Sequence, residues 1–312
     1  MNLDIREING DVKIDNKIIT INNGSIILND GTIIRSGNAE QSISSQNNSP
    51  FTSTNKPTGQ VLCEEFTVDS FSTLITHSYL NIDFSIGEKP KVYIEATKEI
   101  IDNIIIENNG SELTLDIASD FDTDMRQLNV KVVTPRLSKI ITYGTSTVNV
   151  LTPIKNKGTI MLSAHEGSKI IVATIISDNA YLSTTEAAKL IVNNVDAQTS
   201  TIIKTVQASR LNIAEKINTS NLYITTDQAS QVNIKDIQAS QIILKTTGAG
   251  NIKISGNATS TEYIAGGRSS ITADELTSLN GKATTTELAR IRCHVTEHFE
   301  KHSSILAKIV NV

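Results

Sequence analysis

The sequence predicts an all-β protein whose central part is a parallel β-helix, a solenoid with coils of about 20–21 residues. Three observations support this prediction. One short pattern recurs seven times between residues 140 and 273, its spacing is nearly constant, and aliphatic residues alternate with polar ones inside each copy. Alternation is typical of a strand, and self-similarity at a fixed period is typical of stacked repeats.

The repeat begins with a small residue and places aliphatic residues two and four positions later, as in Ser146-Thr-Val148-Asn-Val150. The small anchors are Ser146, Ser168, Ala188, Ser209, Ser230, Gly250 and Ser269. Subtraction gives steps of 22, 20, 21, 21, 20 and 19 residues between them. A further apolar column precedes the anchors by six residues and comprises Ile140, Leu162, Leu182, Ile203, Ile224, Leu244 and Tyr263. We expect this column, together with the columns Val148 through Ile271 and Val150 through Ala273, to point inward and stack coil on coil.

The length of the repeat distinguishes a parallel β-helix from the other known repeat architectures. Propeller blades need roughly 40 residues and helical repeats roughly 33–47, and leucine-rich repeats of ~20–29 residues need a motif that this sequence lacks. In a parallel β-helix each short strand stacks on its copy ~4.8 Å away, which suits the observed period. An antiparallel sandwich with strongly alternating strands is the alternative, although sandwiches seldom keep so constant a spacing.

Small residues also precede most anchors and indicate a sharp corner in every coil. These neighbours are Thr145, Gly167, Ala187, Ala208, Ala229 and Ala249. A corner at which every coil stacks on its copy leaves little room for a branched side chain.

The whole chain divides into three predicted parts. Residues 1–36 alternate apolar and polar residues around Asn-Gly and Asp-Gly turns, which predicts a short β-hairpin segment. Residues 37–60 contain mostly Ser, Asn, Gln, Thr, Gly and Pro, which predicts a flexible linker. Residues 61–312 form the predicted β-solenoid domain, with initial strands at 66–135, regular coils at 136–273 and closing strands at 274–312.

Composition and hydropathy argue against nucleic-acid binding and against a transmembrane segment. The net charge is −5, the pI is near 5.6 and no basic stripe is visible, so we expect no nucleic-acid binding. No apolar run approaches the ~20 residues that a transmembrane helix needs, so we expect no transmembrane segment. The first ten residues lack the charged and apolar regions of a signal peptide, and on the N-terminus alone we expect a cytoplasmic location.

Cys63 and Cys293 lie far apart and outside any C-x-x-C motif. The sequence does not decide whether they form a disulfide, and we expect two ordinary buried thiols. The pair therefore does not define the redox compartment.

His294, His298 and His302 are the sharpest chemical feature, because they are spaced four residues apart with Glu297 and Glu300 between them. On a helix this spacing would put three imidazoles on one face, as in a metal site. The neighbouring Ile291, Cys293 and Val295 favour a strand instead, with the histidines pointing to solvent. A strand spreads them over ~27 Å, which is too far to hold one ion, so we expect no metal or cofactor.

Asp120, Asp122 and Asp124 resemble the first half of a calcium-binding loop. An EF-hand loop needs Gly at its sixth position and Glu at its twelfth, where this sequence has Met125 and Lys131. We therefore interpret the segment as a solvated acidic loop.

A polar ladder is predicted to face outward along one side of the coils. Its members are Lys169, Lys189, Arg210, Gln231 and Asn251. Such a strip either binds an extended polymer or only keeps the sheet surface soluble. It contains none of the clustered acids that a polysaccharide-processing β-helix needs, and scarce Tyr and absent Trp argue against a carbohydrate-stacking platform.

The sequence resembles the putative auto-transporter adhesin head domain family of bacteria. The resemblance rests on Val92-Tyr-Ile94-Glu-Ala96, Val132-Val-Thr134-Pro135-Arg-Leu137 and Gly144-Thr-Ser146-Thr-Val148, followed by small-residue repeats such as Gly248-Ala-Gly250-Asn-Ile252. It covers about residues 64–312 and implies a right-handed parallel β-helix that is often exported, which places it at the cell envelope or outside the cell. It offers no catalytic residues, and this chain has Ser and Ala where many of the family's repeats have Gly.

Two functions from different classes follow. The first is a non-catalytic scaffold or adhesin-like module that contacts an unidentified protein or polysaccharide, or its own copy through an end coil with exposed strand edges. The alternative is a carbohydrate-active β-helix enzyme, a lyase or hydrolase, whose acids meet from different coils. Two carboxylates ~5–10 Å apart in a groove would favour the enzyme.

Overall fold

The computed structural model describes residues 59–118 and 128–312, together with the backbone of four short strands before them. The chain divides into two compact units, Met1–Ser53 and Thr54–Val312. In the first unit, successive strands pair antiparallel: β1 (Gly10–Ile14), β2 (Lys17–Asn22), β3 (Ser25–Ile27) and β4 (Ile33–Arg35). This confirms the predicted β-hairpin segment. Residues 37–58 of the predicted linker lie outside the described residues.

In the second unit, the described residues form strands and one short helix. The initial elements are β5 (Val61–Thr67), β6 (Thr73–Thr76), β7 (Asn81–Ile86), β8 (Lys91–Thr97), α1 (Lys98–Asp102), β9 (Ile104–Asn109), β10 (Glu112–Ile117) and β11 (Asn129–Thr134). The regular coils are built from β12 (Lys139–Thr142), β13 (Thr147–Val150), β14 (Ile154–Ala164), β15 (Lys169–Thr184), β16 (Lys189–Thr205), β17 (Arg210–Thr226), β18 (Gln231–Thr246), β19 (Asn251–Ala265) and β20 (Ser270–Thr285). The last strands are β21 (Arg290–Ser303) and β22 (Lys308–Asn311). Along the described part of the chain, no helix is long and apolar enough to span a membrane.

The regular coils stack in parallel as a β-solenoid, and the three predicted inward columns are confirmed. Leu182 pairs with Ile203, and Ile203 pairs in turn with Ile224 on the next coil. Every member of the three columns between residues 140 and 273 is at most 4% exposed. Burying each Leu or Ile contributes roughly 1.5–3 kcal/mol of hydrophobic free energy, so the aliphatic columns hold the coils together. The antiparallel sandwich is wrong, because neighbouring coils pair in parallel.

At Ala187, Ala208 and Ala229 the predicted sharp corner is a two-residue turn with left-handed backbone. Glu186 and Ala187 have φ values of 53° and 66°, and Gln207 and Ala208 repeat this geometry at 59° and 60° one coil later. Branched side chains strain this conformation, which explains the small residue before the anchor in these coils.

The anchors themselves serve a second purpose inside the corner, because buried threonines lie against them. Thr142 Oγ1 lies 2.8 Å from Ser168 Oγ, and Thr184 Oγ1 donates to Ser209 Oγ at 2.9 Å. Each pair joins one coil to the next. Serine at these two anchors therefore satisfies a hydroxyl that has no access to water.

Anchors without a hydroxyl follow the same logic. At the anchor Ala188, the facing position is Ala164 instead of a threonine. Neither hydroxyl is present at this corner. At Gly250, an added Cβ would lie 2.5 Å from Thr246 Oγ1 and 2.6 Å from Thr226 Oγ1. Those threonines hydrogen-bond each other at 2.7 Å, which leaves no room for a side chain at this anchor.

The initial strands do not stack in chain order. Strand β6 pairs in parallel with both β10 and β12, and β7 pairs in parallel with both β11 and β13. The coil of β6 and β7 therefore has β10 and β11 along one edge and β12 and β13 along the other, and the regular coils continue from β12 and β13. Antiparallel strands cover the free edges of β10 and β11: β9 pairs with β10, β8 pairs with β11, and β5 pairs with β8. Such coverage protects sheet edges from pairing with other chains.

The strands after residue 273 keep the register of the coils. Ile271 pairs with Ile291, which pairs with Ile309. Cys293 lies buried in the neighbouring inward column, as expected, whereas Cys63 is exposed on β5. The expectation of two buried thiols is wrong for Cys63, because β5 pairs with β8 and turns Leu62 and Phe66 toward the core while the alternate side chains, Cys63 among them, face solvent.

Candidate binding surface

The three histidines lie on strand β21, as the apolar pattern predicted. His294 is half-buried, and His298 and His302 are exposed. His298 Nε2 lies 3.4 Å from Glu300 Oε1 on the same strand. In residues 59–118 and 128–312, no group of three or more His, Cys, Asp and Glu side chains is placed to hold a metal ion. The acidic segment of Asp120, Asp122 and Asp124 lies outside the described residues.

The predicted outward ladder is continuous. Lys169, Lys189, Arg210, Gln231 and Asn251 pair successively along the coils. Lys169 is half-buried and the other four are exposed. The structure thus places these side chains in one solvent-facing strip, in which each residue directly follows the corner turn of its coil.

A second outward surface lies on the strand segments that precede each corner turn, and the sequence did not predict it. It consists of three neighbouring columns, which we call the amide–tyrosine face. The columns are Asn179, Ser200, Asn221 and Gln241; Tyr181, Ile202, Tyr223 and Ile243; and Ser183, Lys204, Thr225 and Lys245. The third column opens to solvent only from Lys204 onward, because Ser183 is buried against Ser163. The sequence signal was available, because these residues flank the inward column that starts at Ile140.

Large apolar side chains are partly open to solvent on this face. Ile202 is 39% and Tyr223 is 37% exposed, and Tyr181 and Ile243 are half-buried beside them. Contiguous apolar exposure on a folded surface marks a contact site more often than scattered residues do, and tyrosine is enriched at such sites.

The amide column is held in place by hydrogen bonds between coils. Ser200 Oγ donates to Asn179 Oδ1 at 2.7 Å, and Asn221 Nδ2 donates to the carbonyl of Thr199 at 3.1 Å. These contacts orient the amides without a partner molecule, so little side-chain entropy is left to lose on binding.

Two open grooves run beside the amide–tyrosine face. The first is lined by Lys155, Asn156, Lys157, Ile176, Ser177, Asp178 and Gln198. The second is lined by Asp196, Gln198, Asn218, Thr219, Ser220, Gln238, Ala239 and Ser240. Each groove has one carboxylate in its lining, and Asp196 Oδ1 accepts a hydrogen bond from Asn218 Nδ2 at 3.0 Å. The pair of acids that glycoside hydrolysis needs does not line either groove.

An aromatic stack crosses three coils near the first corner. The rings of His77 and Tyr143 lie 4.9 Å apart at 3°, and Tyr143 and His165 lie 4.9 Å apart at 16°. His165 Nδ1 lies 2.9 Å from Thr185 Oγ1. Burial lowers the pKa of His165 below its usual 6.5, although nearby Glu186 and Glu166 oppose the shift. The burial of His165 thus favours a neutral imidazole.

Known proteins share this fold. Residues 70–202 and 191–311 match a family described as putative auto-transporter adhesin, head GIN domain. A putative adhesin from Parabacteroides distasonis ATCC 8503 has a TM-score of 0.58 at 14% identity, over 79% of this chain and 99% of that one. A putative adhesin from Parabacteroides merdae ATCC 43184 has a TM-score of 0.59 at 12% identity, over 82% and 98%. No curated protein matches this chain in sequence.

Proposed function

The chain belongs to the putative auto-transporter adhesin, head GIN domain family, and from this we propose that it is a non-catalytic scaffold that binds a partner. Binding takes place at the bacterial cell envelope or outside the cell. The family and its adhesin-like relatives support both parts of this proposal, and they give no support to the carbohydrate-active enzyme that the sequence left open.

One observation carries the proposal: the amide–tyrosine face presents apolar, amide and cationic side chains on four successive coils. None of the residues in its three columns is acidic. The inward neighbours Leu182, Ile203, Ile224 and Leu244 are fully buried, so the fold is secured from inside. The outward side chains are therefore not needed for packing and are available for contact.

The backbone beneath the face suits a binding scaffold. Strands β15 to β18 pair with their neighbours on both sides, and the pairing has no register shift along the segments that carry the face. Side chains carried by such a ladder keep fixed spacings, so a partner meets a pre-formed surface.

The experiment that tests binding uses fluorescently labelled protein on a panel of bacterial and mammalian cells. A variant that combines Tyr181→Ala, Ile202→Ser and Tyr223→Ala should lose retention on the cells that hold the wild type. The matched control changes three residues of the outward ladder, Lys189→Gln, Arg210→Gln and Gln231→Ala, and should be retained. If the control variant lost retention on the cells while the face variant kept it, binding would lie on the outward ladder, and this proposal would be refuted.

Location and catalysis are tested separately. We expect an antibody to find the native protein in the envelope or surface fraction, and external protease to remove it from intact cells. Recovery only inside protease-resistant cells would contradict the proposed location. Turnover of a polysaccharide that disappears on Asp178→Asn or Asp196→Asn would contradict the non-catalytic role.

A further inference from the structure

The amide–tyrosine face repeats every two coils instead of every coil. Residues 179–183 read NAYLS and residues 221–225 read NLYIT, whereas residues 200–204 read STIIK and residues 241–245 read QIILK. Along the stack, a coil with Asn, Tyr and a hydroxyl residue therefore alternates with a coil with Ile and Lys. The order across successive coils is Tyr181, Lys204, Tyr223, Lys245.

The alternation sets a spacing. Neighbouring coils stack ~4.8 Å apart, so the two tyrosines, and likewise the two lysines, recur at ~9.6 Å. This distance is close to the length of a disaccharide in an extended chain. A polymer that lies along the stack and repeats every two sugars would meet the same side chains at each repeat.

Charge limits the ligand further. Lys204 and Lys245 are exposed, and the three columns contain no carboxylate until Glu262 on the following coil. Glu262 takes the place of a tyrosine or isoleucine and ends the alternation. The face is thus locally cationic on a chain whose net charge is −5, which favours an anionic ligand at this place.

Two other macromolecules fit less well. A peptide that adds as a β-strand needs a free sheet edge, whereas the strands of this face are paired on both sides. A nucleic acid carries a charge on every nucleotide and needs a denser set of cations than one lysine per two coils.

We propose that the amide–tyrosine face binds an acidic polysaccharide in which an uncharged sugar alternates with a charged one. The uncharged ring stacks on Tyr181 and Tyr223, while Lys204 and Lys245 pair with the carboxylate or sulfate of the next ring. The amides of Asn179 and Asn221 hydrogen-bond the sugar hydroxyls. This inference rests on the proposed function, because it names the partner of the same surface.

Calorimetric titration of the whole protein tests the inference with five polymers. Hyaluronan and unsulfated chondroitin alternate a uronate with an uncharged N-acetylated amino sugar, polygalacturonate is charged on every sugar, dextran is neutral, and polyglutamate is an anion without sugar rings. We expect the two alternating polymers to bind more tightly than the other three. Raising the salt concentration should weaken this binding, since the lysines contribute charge contacts.

Variants divide the contributions. Tyr223→Ala should weaken binding of the alternating polymers about tenfold, and Tyr223→Phe should leave it unchanged, since the ring is kept. Lys204→Gln should weaken binding about two- to fivefold and flatten its salt dependence. Lys189→Gln on the outward ladder is the matched control and should bind as the wild type does. Unchanged melting temperatures will show that these variants are folded.

The outcomes separate this inference from the proposed function. Equal binding of polyglutamate and hyaluronan, with no effect of Tyr223→Ala, would overturn the inference in favour of non-specific charge attraction. If no polysaccharide binds but the triple face variant still loses cell retention, the inference fails and the scaffold function stands. If the triple variant is also retained on cells, both fail.

Discussion

Thr184 and Ser209 lie on neighbouring coils and share an enclosed pair of hydroxyl groups. Thr184 Oγ1 donates to Ser209 Oγ at 2.9 Å, and Ser209 Oγ lies 2.9 Å from the carbonyl oxygen of Thr184. Both residues are fully buried. At the equivalent positions one coil earlier, Ala164 and Ala188 replace them together. At these two corners the hydroxyls are therefore present together or absent together.

This relationship predicts a non-additive double mutant. Thr184→Ala or Ser209→Ala alone should lower the free energy of unfolding by about 1–3 kcal/mol, because the remaining hydroxyl loses its buried partner. The double variant should lose less than the sum of the two. Denaturant unfolding of the four proteins measures this coupling. Strictly additive losses would show that the hydroxyls do not depend on each other.

Charge introduced into an inward column should prevent folding. Leu211 and Val232 pair on successive coils and are at most 1% exposed. Leu211→Asp or Val232→Asp would bury an unpaired carboxylate, which costs several kcal/mol, and should abolish soluble expression or cooperative melting. Gln231→Asp is the control, because its exposed side chain meets water. Soluble variants at both buried positions that melt like the wild type would contradict the assigned register.

The inward columns were predictable because burial constrains their residue types. The positions of Ile203 and Leu244 are fully buried and take apolar side chains, so the alternation appears directly in the sequence. The corner was predictable for a similar reason, since the left-handed turn at Ala187 and the close threonines at Gly250 both exclude branched residues.

Two features could not be predicted in the same way. The placement of β6 between β10 and β12 depends on which strand pairs with which, and alternation inside a strand is the same for any neighbour. The amide–tyrosine face was missed because outward residues vary freely, and the pattern of Tyr181 and Tyr223 emerges only once the register aligns the coils.

The two thiols should react differently. Cys293 is fully buried, and burial raises the pKa of its thiol to about 11, so it stays protonated and poorly nucleophilic at neutral pH. Cys63 is exposed. Titration of the native protein with a thiol reagent should therefore label one cysteine, and denaturation should release the second. Cys63→Ser should remove the native signal. Rapid labelling of Cys293 in the folded protein would contradict its position in the core.

The predicted linker should be the first site of limited proteolysis. Residues 37–60 are rich in small polar residues and contain little to bury, which favours access by a protease. The fragment from about residue 61 to residue 312 should then resist further digestion. Mass spectrometry of the early products identifies the cut. First cleavage between residues 140 and 273 would contradict the predicted boundary.

The stacked His165 should make stability depend on pH. Burial lowers its pKa below the 6.5 of an unfolded chain, so between these two values the unfolded state binds more protons than the folded state. Stability should therefore be lost as the pH falls from about 6.5 through the folded pKa, and be fully present above this window. His165→Gln should lose less stability than the wild type between pH 7.5 and 5, measured as the change in melting temperature. His298→Gln is the control, since its exposed ring lies outside the stack. Parallel losses in wild type and His165→Gln would show that the stack does not discriminate against the charged imidazole.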